Sequence, residues 1–292
     1  MYKKLCVSIF LEFLISVPVI GAPGFVELPD ISIRGIDSAY VSCNTTGEYG
    51  LSSSALPSEE VNNTCAVISE DLMKSPLNSP VDGFKLVGVQ VGDIEMSAEM
   101  SGKDSVVARL SEAIWRNQEK TECVLATQIE MHDAPMINGE YFEINDIAHA
   151  GFANKKVAVA YFHKPHSNEP GGNTEVLFRA GRTFTSVPTE KQKALPSLVN
   201  EPVEPPAIAT SNVAGLHTNW VDFTTDISFK DKDGVTRSIS SIFYIRYACD
   251  ARDPISAPGA IRLRSTGQSG SKSFELPVSG LIPADANVML FQ

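Results

Sequence analysis

From Phe84 onward, apolar and polar residues alternate in short runs separated by turn-forming residues. That period of two is the signature of strands with one buried face. It predicts strand material over Phe84–Met100 and strands at Glu122–Met131, Lys156–Phe162, Glu175–Thr185, Trp220–Phe229, Ser241–Cys249, Ala260–Arg264 and Ser273–Val278. Nearer the N-terminus, Phe25–Ser42 reads as one or two strands interrupted at Pro29-Asp30 and Gly35, and residues 44–82 read as polar surface loops. Helical spacing occurs once: after Asp104, Val106, Val107, Leu110, Ala113 and Ile114 share one face, opposite Arg109, Glu112 and Arg116. The pattern predicts a short amphipathic helix there.

Pro170-Gly171-Gly172 lies between the Lys156–Phe162 and Glu175–Thr185 runs and predicts a long hairpin joining them. Asp233-Gly234, between the Trp220–Phe229 and Ser241–Cys249 runs, is a tight-turn signal. Many strands, regular turns and little helix predict a mainly β protein, an antiparallel β-sandwich with long loops and one short helix. Residues 187–209 carry five prolines and no period. They read as a surface excursion within a single sandwich-like domain spanning residues 25–292 rather than as a linker.

The first 24 residues follow a different pattern. Lys3 and Lys4 precede an apolar stretch, Leu5–Ile20, which ends in Gly21 and Ala22. Charged start, apolar middle and small-residue exit are the parts of a secretory leader. The stretch contains Glu12 and Pro18 and is short for a bilayer span. Cleavage after Gly21 or Gly24 avoids placing Pro23 just beyond the cut, and Cys6 leaves with the leader. No later apolar run approaches membrane-spanning length, so no transmembrane segment is expected in the mature chain. The expected location is the periplasm, the cell surface or the extracellular space.

Removing Lys3, Lys4 and Glu12 moves the formal charge from −11 to −12. An acidic surface repels polyanions, which argues against nucleic acid as a partner. Cys43, Cys65, Cys123 and Cys249 then remain, an even set suited to an oxidising compartment. Three pairings are open. Alternation places Cys123 on the face of Leu125 and Ile129, and Cys249 on the face of Phe243, Ile245 and Tyr247. Two cysteines on apolar strand faces favour a Cys123–Cys249 bridge, leaving Cys43 with Cys65.

Candidate chemistry is sparse. In the Trp220 strand, alternation turns Val221, Phe223, Ile227 and Phe229 inward and Trp220, Asp222, Thr224 and Asp226 outward. An exposed Trp beside hydrogen-bond acceptors could stack on a sugar ring, so these four residues are the candidate ligand-binding strip. Asp231 and Asp233 bring two carboxylates together on a turn, as calcium requires, although the EF-hand pattern stops there. His163 and His166 could share copper or zinc if His132, His149 or His217 joined them. Arg179 and Arg182 suit an anionic ligand or internal ion pairs, and Arg246, Arg262 and Arg264 suggest a further cationic strand face. Asn44-Thr45-Thr46 and Asn62-Asn63-Thr64 fit glycan acceptors in a eukaryotic source.

The HExxH, GxSxG, GxxxxGK[ST] and GxGxxG patterns are all missing from the sequence. The expectation is an exported, non-catalytic binding or surface-assembly protein with an extracytoplasmic protein or carbohydrate ligand. The alternatives are a metal-dependent extracytoplasmic enzyme using calcium, copper or zinc, and a structural subunit of an extracellular assembly.

Overall fold

Thirteen strands organise the described residues, and two of them, near the middle of the chain, carry polar residues on a buried strand face. A computed structural model describes residues 25–28, 40–42, 66–67, 78–162, 177, 179–183, 218–230, 238–265 and 274–290. In chain order the strands are β1 (Val26–Glu27), β2 (Tyr40–Ser42), β3 (Ala66–Val67), β4 (Lys85–Met96), β5 (Ser105–Arg116), β6 (Glu122–Met131) and β7 (Glu143–Ala150). They continue as β8 (Val157–Phe162), β9 (Arg179–Gly181), β10 (Trp220–Ser228), β11 (Ile242–Ala248), β12 (Ile255–Ser265) and β13 (Phe274–Ile282). One short helix, α1, spans Ala98–Ser101, and a 3-10 turn spans Val288–Leu290.

The strands form two sheets. The first runs β1-β8-β11-β6-β5-β4, with β3 beside β8, and the second runs β13-β12-β7-β10-β9-β2. Every pairing is antiparallel except β3 with β8. The sheets pack face to face, and the core between them holds Leu110, Ile114, Leu125, Ile129, Val159, Phe243 and Ile245 from the first. The second sheet contributes Ile147, Val221, Phe223, Ile261 and Leu263 to the same core. Phe223 stacks on Phe243 across the interface with ring centroids 5.1 Å apart. Such a pair adds directional packing to the area it buries.

The expected β-sandwich and its disulfide are both present. Cys123 and Cys249 are bridged, with Cα atoms 5.8 Å apart and a sequence separation of 126. Tyr247 lies opposite Cys123 in register, and Cys249 follows two residues later on the same strand face. The bridge therefore ties β6 to the end of β11 within the first sheet. Cys43 and Cys65 lie outside the described residues.

Three expectations need correction. Residues 105–116 are not a helix but strand β5, paired on both sides: Leu110 sits opposite Gly92 of β4 and Ile129 of β6. The true period is two, with Ala108, Leu110, Glu112 and Ile114 on the core face. Glu112 sits where an apolar residue would reveal that period, so the run reads as helical. The helix lies earlier, overlapping the end of the Phe84–Met100 run read as strand, and ends where Gly102 adopts a φ of 80° and its N–H meets the Ala98 carbonyl.

Second, the Lys156–Phe162 and Glu175–Thr185 runs do not form a hairpin. β8 pairs with β11 and β1 in the first sheet, whereas β9 pairs with β10 and β2 in the second. Third, β10 and β11, the strands on either side of the Asp233-Gly234 tight-turn signal, also lie in opposite sheets and so form no hairpin; Asp233 and Gly234 themselves lie outside the described residues. A turn signal reports reversal of the chain but not the sheet it re-enters.

Candidate functional site

Strand β7 had no sequence prediction, and it carries the polar residues that matter most. Its sequence, Glu-Ile-Asn-Asp-Ile-Ala-His-Ala, is buried over seven of eight positions. Both neighbours hold it in the middle of the second sheet: His149 is opposite Val221 of β10 and Ile261 of β12. Central position, rather than apolar alternation, makes these residues a strand.

His149 points into the core and meets Glu112, which rises from β5 of the opposite sheet. The imidazole Nε2 lies 2.9 Å from Glu112 Oε1, and both side chains are buried. Nδ1 lies 3.0 Å from the Ala150 carbonyl. A carbonyl can only accept, so Nδ1 carries a proton and donates it. One further proton then joins Nε2 to Oε1, whichever atom holds it. Thr127 Oγ1 donates to Oε1 at 3.2 Å, and the Leu281 backbone N–H of β13 donates to Oε2 at 2.7 Å. Glu112 thus links β5, β6, β7 and β13, and fastens one sheet to the other.

Glutamate, imidazole and hydroxyl together could support acid–base chemistry. Here each is buried, and the carboxylate oxygens are engaged by protein donors, so the group reads as a cross-sheet clamp. Gly280 makes room for it: a Cβ there would lie 2.6 Å from Ile261 Cγ1 and 3.4 Å from Glu112 Oε2.

The predicted ligand strip occupies the other face of the second sheet. Val221, Phe223 and Ile227 enter the core as alternation implies, but Phe229, expected inward, is 39% exposed, because it lies just past the end of β10. The expected exposure is not found. Trp220 is 1% exposed, Asp222 and Thr224 are buried, and only Asp226 is half-buried. Trp220 packs with Ala148, Ala150, Ala257, Ala260 and Ile282, which removes its ring from any sugar. Alternation assigns a side chain to a face but cannot say whether that face is covered.

Beside Trp220, Asp146, Asp222, Glu275, Arg262 and Arg264 form a buried charge lattice. Arg264 Nε donates to Glu275 Oε2 at 2.7 Å and its Nη1 lies 3.8 Å from Asp222 Oδ1. Arg262 Nη1 lies 3.6 Å from Glu275 Oε1, and Thr224 Oγ1 donates to Asp146 Oδ1 at 3.1 Å. Burial works against the Arg264 charge, but Glu275, Asp222 and Asp146 outweigh it and raise its pKa. For Arg262, burial dominates and lowers the pKa.

The cationic face expected of Arg246, Arg262 and Arg264 is therefore divided. Arg246 belongs to the first sheet, where Nη2 donates to Glu122 Oε1 at 2.8 Å and the guanidinium lies 5.9 Å from the Phe25 ring. Arg182 is buried and donates to the Phe152 and Lys155 carbonyls at 3.1 and 3.2 Å. Arg179 is opposite Thr224 in register.

No group of three or more His, Cys, Asp or Glu residues suited to a metal occurs among the described residues. His149 is taken up by Glu112. The proposed metal ligands His163, His166, Asp231 and Asp233, together with His217, lie outside the described residues. The glycan triplets at Asn44 and Asn62 lie outside them too.

The open surface lies elsewhere, on the outer face of the first sheet. Ser111, Glu112, Ala113, Ala126 and Gln128 line the floor of a shallow valley of about 160 Å³, flanked by Val89, Val91 and Ile242, while the Glu112 side chain itself is buried. Small residues on β5 and β6 create the depression, and larger ones on β4 and β11 make its sides. The valley borders β4, the last strand of its sheet among the described residues.

Among the described residues, no helix is long and apolar enough to cross a membrane. The chain matches no protein-family model, no curated protein and no solved structure with which it was compared.

Proposed function

We propose that this chain is an exported, non-catalytic binding or assembly module that recognises an extracytoplasmic protein through its sheet surface. One observation carries the reading: the Glu112–His149–Thr127 group is buried and engaged within the fold, while the valley flanked by Val89, Val91 and Ile242 is open. An exposed apolar surface with a few polar groups suits a protein ligand. Burial of Trp220 removes the argument for carbohydrate stacking. The basic, apolar and small-residue order of the first 24 residues supports export, as does a disulfide joining distant strands.

Expression from the complete sequence in a host with a secretory pathway tests the export step. The chain should be recovered outside the cytosol with a shortened N-terminus. Recovery of the intact chain in the cytosol would refute export. Elemental analysis of untagged protein tests the non-catalytic reading against the metal-dependent alternative. Stoichiometric calcium, copper or zinc, lost on replacing Asp231 and Asp233 together or His163 and His166 together, would establish that alternative.

A further inference from the structure

The sequence contains one Asn-Gly pair, Asn138-Gly139, and the fold places both residues, exposed, at a tight turn between β6 and β7. There the Met136 N–H donates to the Glu140 carbonyl at 2.7 Å, and the Gly139 N–H donates to the Met136 carbonyl at 2.9 Å. Gly139 has a φ of 78°, in the left-handed region that glycine tolerates. Lacking a Cβ, it also lets its backbone nitrogen approach the preceding side chain closely.

Glu140 holds the Asn138 amide at both ends. Its N–H donates to Asn138 Oδ1 at 3.0 Å, and Asn138 Nδ2 donates to its carboxylate Oε2 at 2.6 Å. A donor on the carbonyl oxygen polarises the adjoining carbon and stabilises negative charge that gathers on the oxygen during attack. A carboxylate touching the amine is placed to hand it a proton as it leaves.

From this arrangement we infer that Asn138 is a self-modification site, which loses its amide with Glu140 as proton carrier. The Gly139 nitrogen bonds to Asn138 Cγ, and its proton passes through the Glu140 carboxylate to Nδ2. The Cγ–Nδ2 bond then breaks, ammonia departs, and a cyclic succinimide remains. Water opens the ring at either carbonyl and leaves aspartate or isoaspartate. The Gly139 N–H must first leave the Met136 carbonyl, an opening that an exposed turn allows at low cost. The product sets a second carboxylate against Glu140 where a donor stood, and isoaspartate lengthens the backbone by a methylene. Ile137 N–H joins this turn to the Met100 carbonyl of α1 at 3.3 Å, so the change loosens that junction. The site stands apart from the binding reading above, and neither depends on the other.

Incubation of the oxidised full chain in mildly alkaline buffer, followed over time by peptide mapping with mass detection, tests the site. The peptide holding Asn138 should gain the mass of an amide-to-acid change and separate into aspartate and isoaspartate forms. It should do so ahead of the peptide holding Asn154, which is also exposed but precedes a lysine. Glu140→Gln keeps an acceptor for Nδ2 yet carries no carboxyl proton, and should slow the conversion about tenfold or more. An Asn138 amide that stays intact, or converts no faster than that of Asn154, would overturn the site. A Glu140→Gln chain that converts at the wild-type rate would overturn it equally, since the carboxylate would then carry no proton.

Discussion

Replacing Glu112 with alanine should be among the most damaging single changes in the sandwich. The carboxylate receives the Thr127 hydroxyl, the His149 imidazole and the Leu281 N–H, at 3.2, 2.9 and 2.7 Å. All three groups are out of water's reach or nearly so. Truncation leaves donors without a partner, each costing about 1–3 kcal/mol. It also breaks a buried ionisable pair, for which losses of about 3–5 kcal/mol are typical. These descriptions overlap, so the expected total is about 3–5 kcal/mol rather than their sum. Glu112→Gln keeps the shape and an acceptor for the Leu281 N–H, and its amide can donate to a neutral His149, so about 1–2 kcal/mol is expected. Urea unfolding of the oxidised protein gives the measurement, with fluorescence of the buried Trp115 and Trp220 as the probe. A double-mutant cycle with His149→Ala should show a coupling of at least about 1 kcal/mol. A Glu112→Ala loss below about 1 kcal/mol, or no coupling to His149, would refute the clamp.

Other consequences follow from the same geometry. Replacing Cys123 and Cys249 with serine frees a loop of more than a hundred residues, and loop-closure entropy sets the loss at no more than about 5 kcal/mol; an unchanged urea midpoint would contradict this. Gly280→Ala drives a methyl against Ile261 inside the core, so a loss of about 1–3 kcal/mol is expected from urea unfolding, and neutrality would refute the close approach. Burial raises the pKa of Tyr161, Tyr244 and Tyr247 above the usual 10.0. The folded state then holds these protons more tightly than the unfolded chain, so their contribution is complete below pH of about 10 and falls as pH rises further. The slope is about 1.4 kcal/mol per pH unit for each tyrosine, and tyrosinate absorbance should appear together with unfolding. Ionisation of all three in a chain that remains folded would contradict their burial.

Much of the sandwich is legible in the sequence because apolar alternation and burial coincide there. Strand β6 spans Glu122–Met131 as predicted, and the faces of Cys123 and Cys249 meet as their neighbours imply. Prediction fails where buried polar groups interrupt the pattern. Glu112 disguises β5 as a helix, and Asn145, Asp146 and His149 hide β7 entirely. A carboxylate among alternating apolar residues, with an isolated histidine in a second such run, is the signal that could have located the clamp. The outward strip at Trp220–Asp226 illustrates a different limit. Its face follows from local geometry, but its burial depends on chain far away in sequence. The place of β4 at the end of its sheet, among the described residues, is equally illegible, because sheet order follows from tertiary pairing and not from the strand itself.

Peptide mapping under non-reducing conditions tests most directly whether β6 and the end of β11 are fastened as this sandwich requires. The account predicts a linked peptide pair that contains Cys123 and Cys249. Those two thiols found free, or joined to other cysteines, would contradict it.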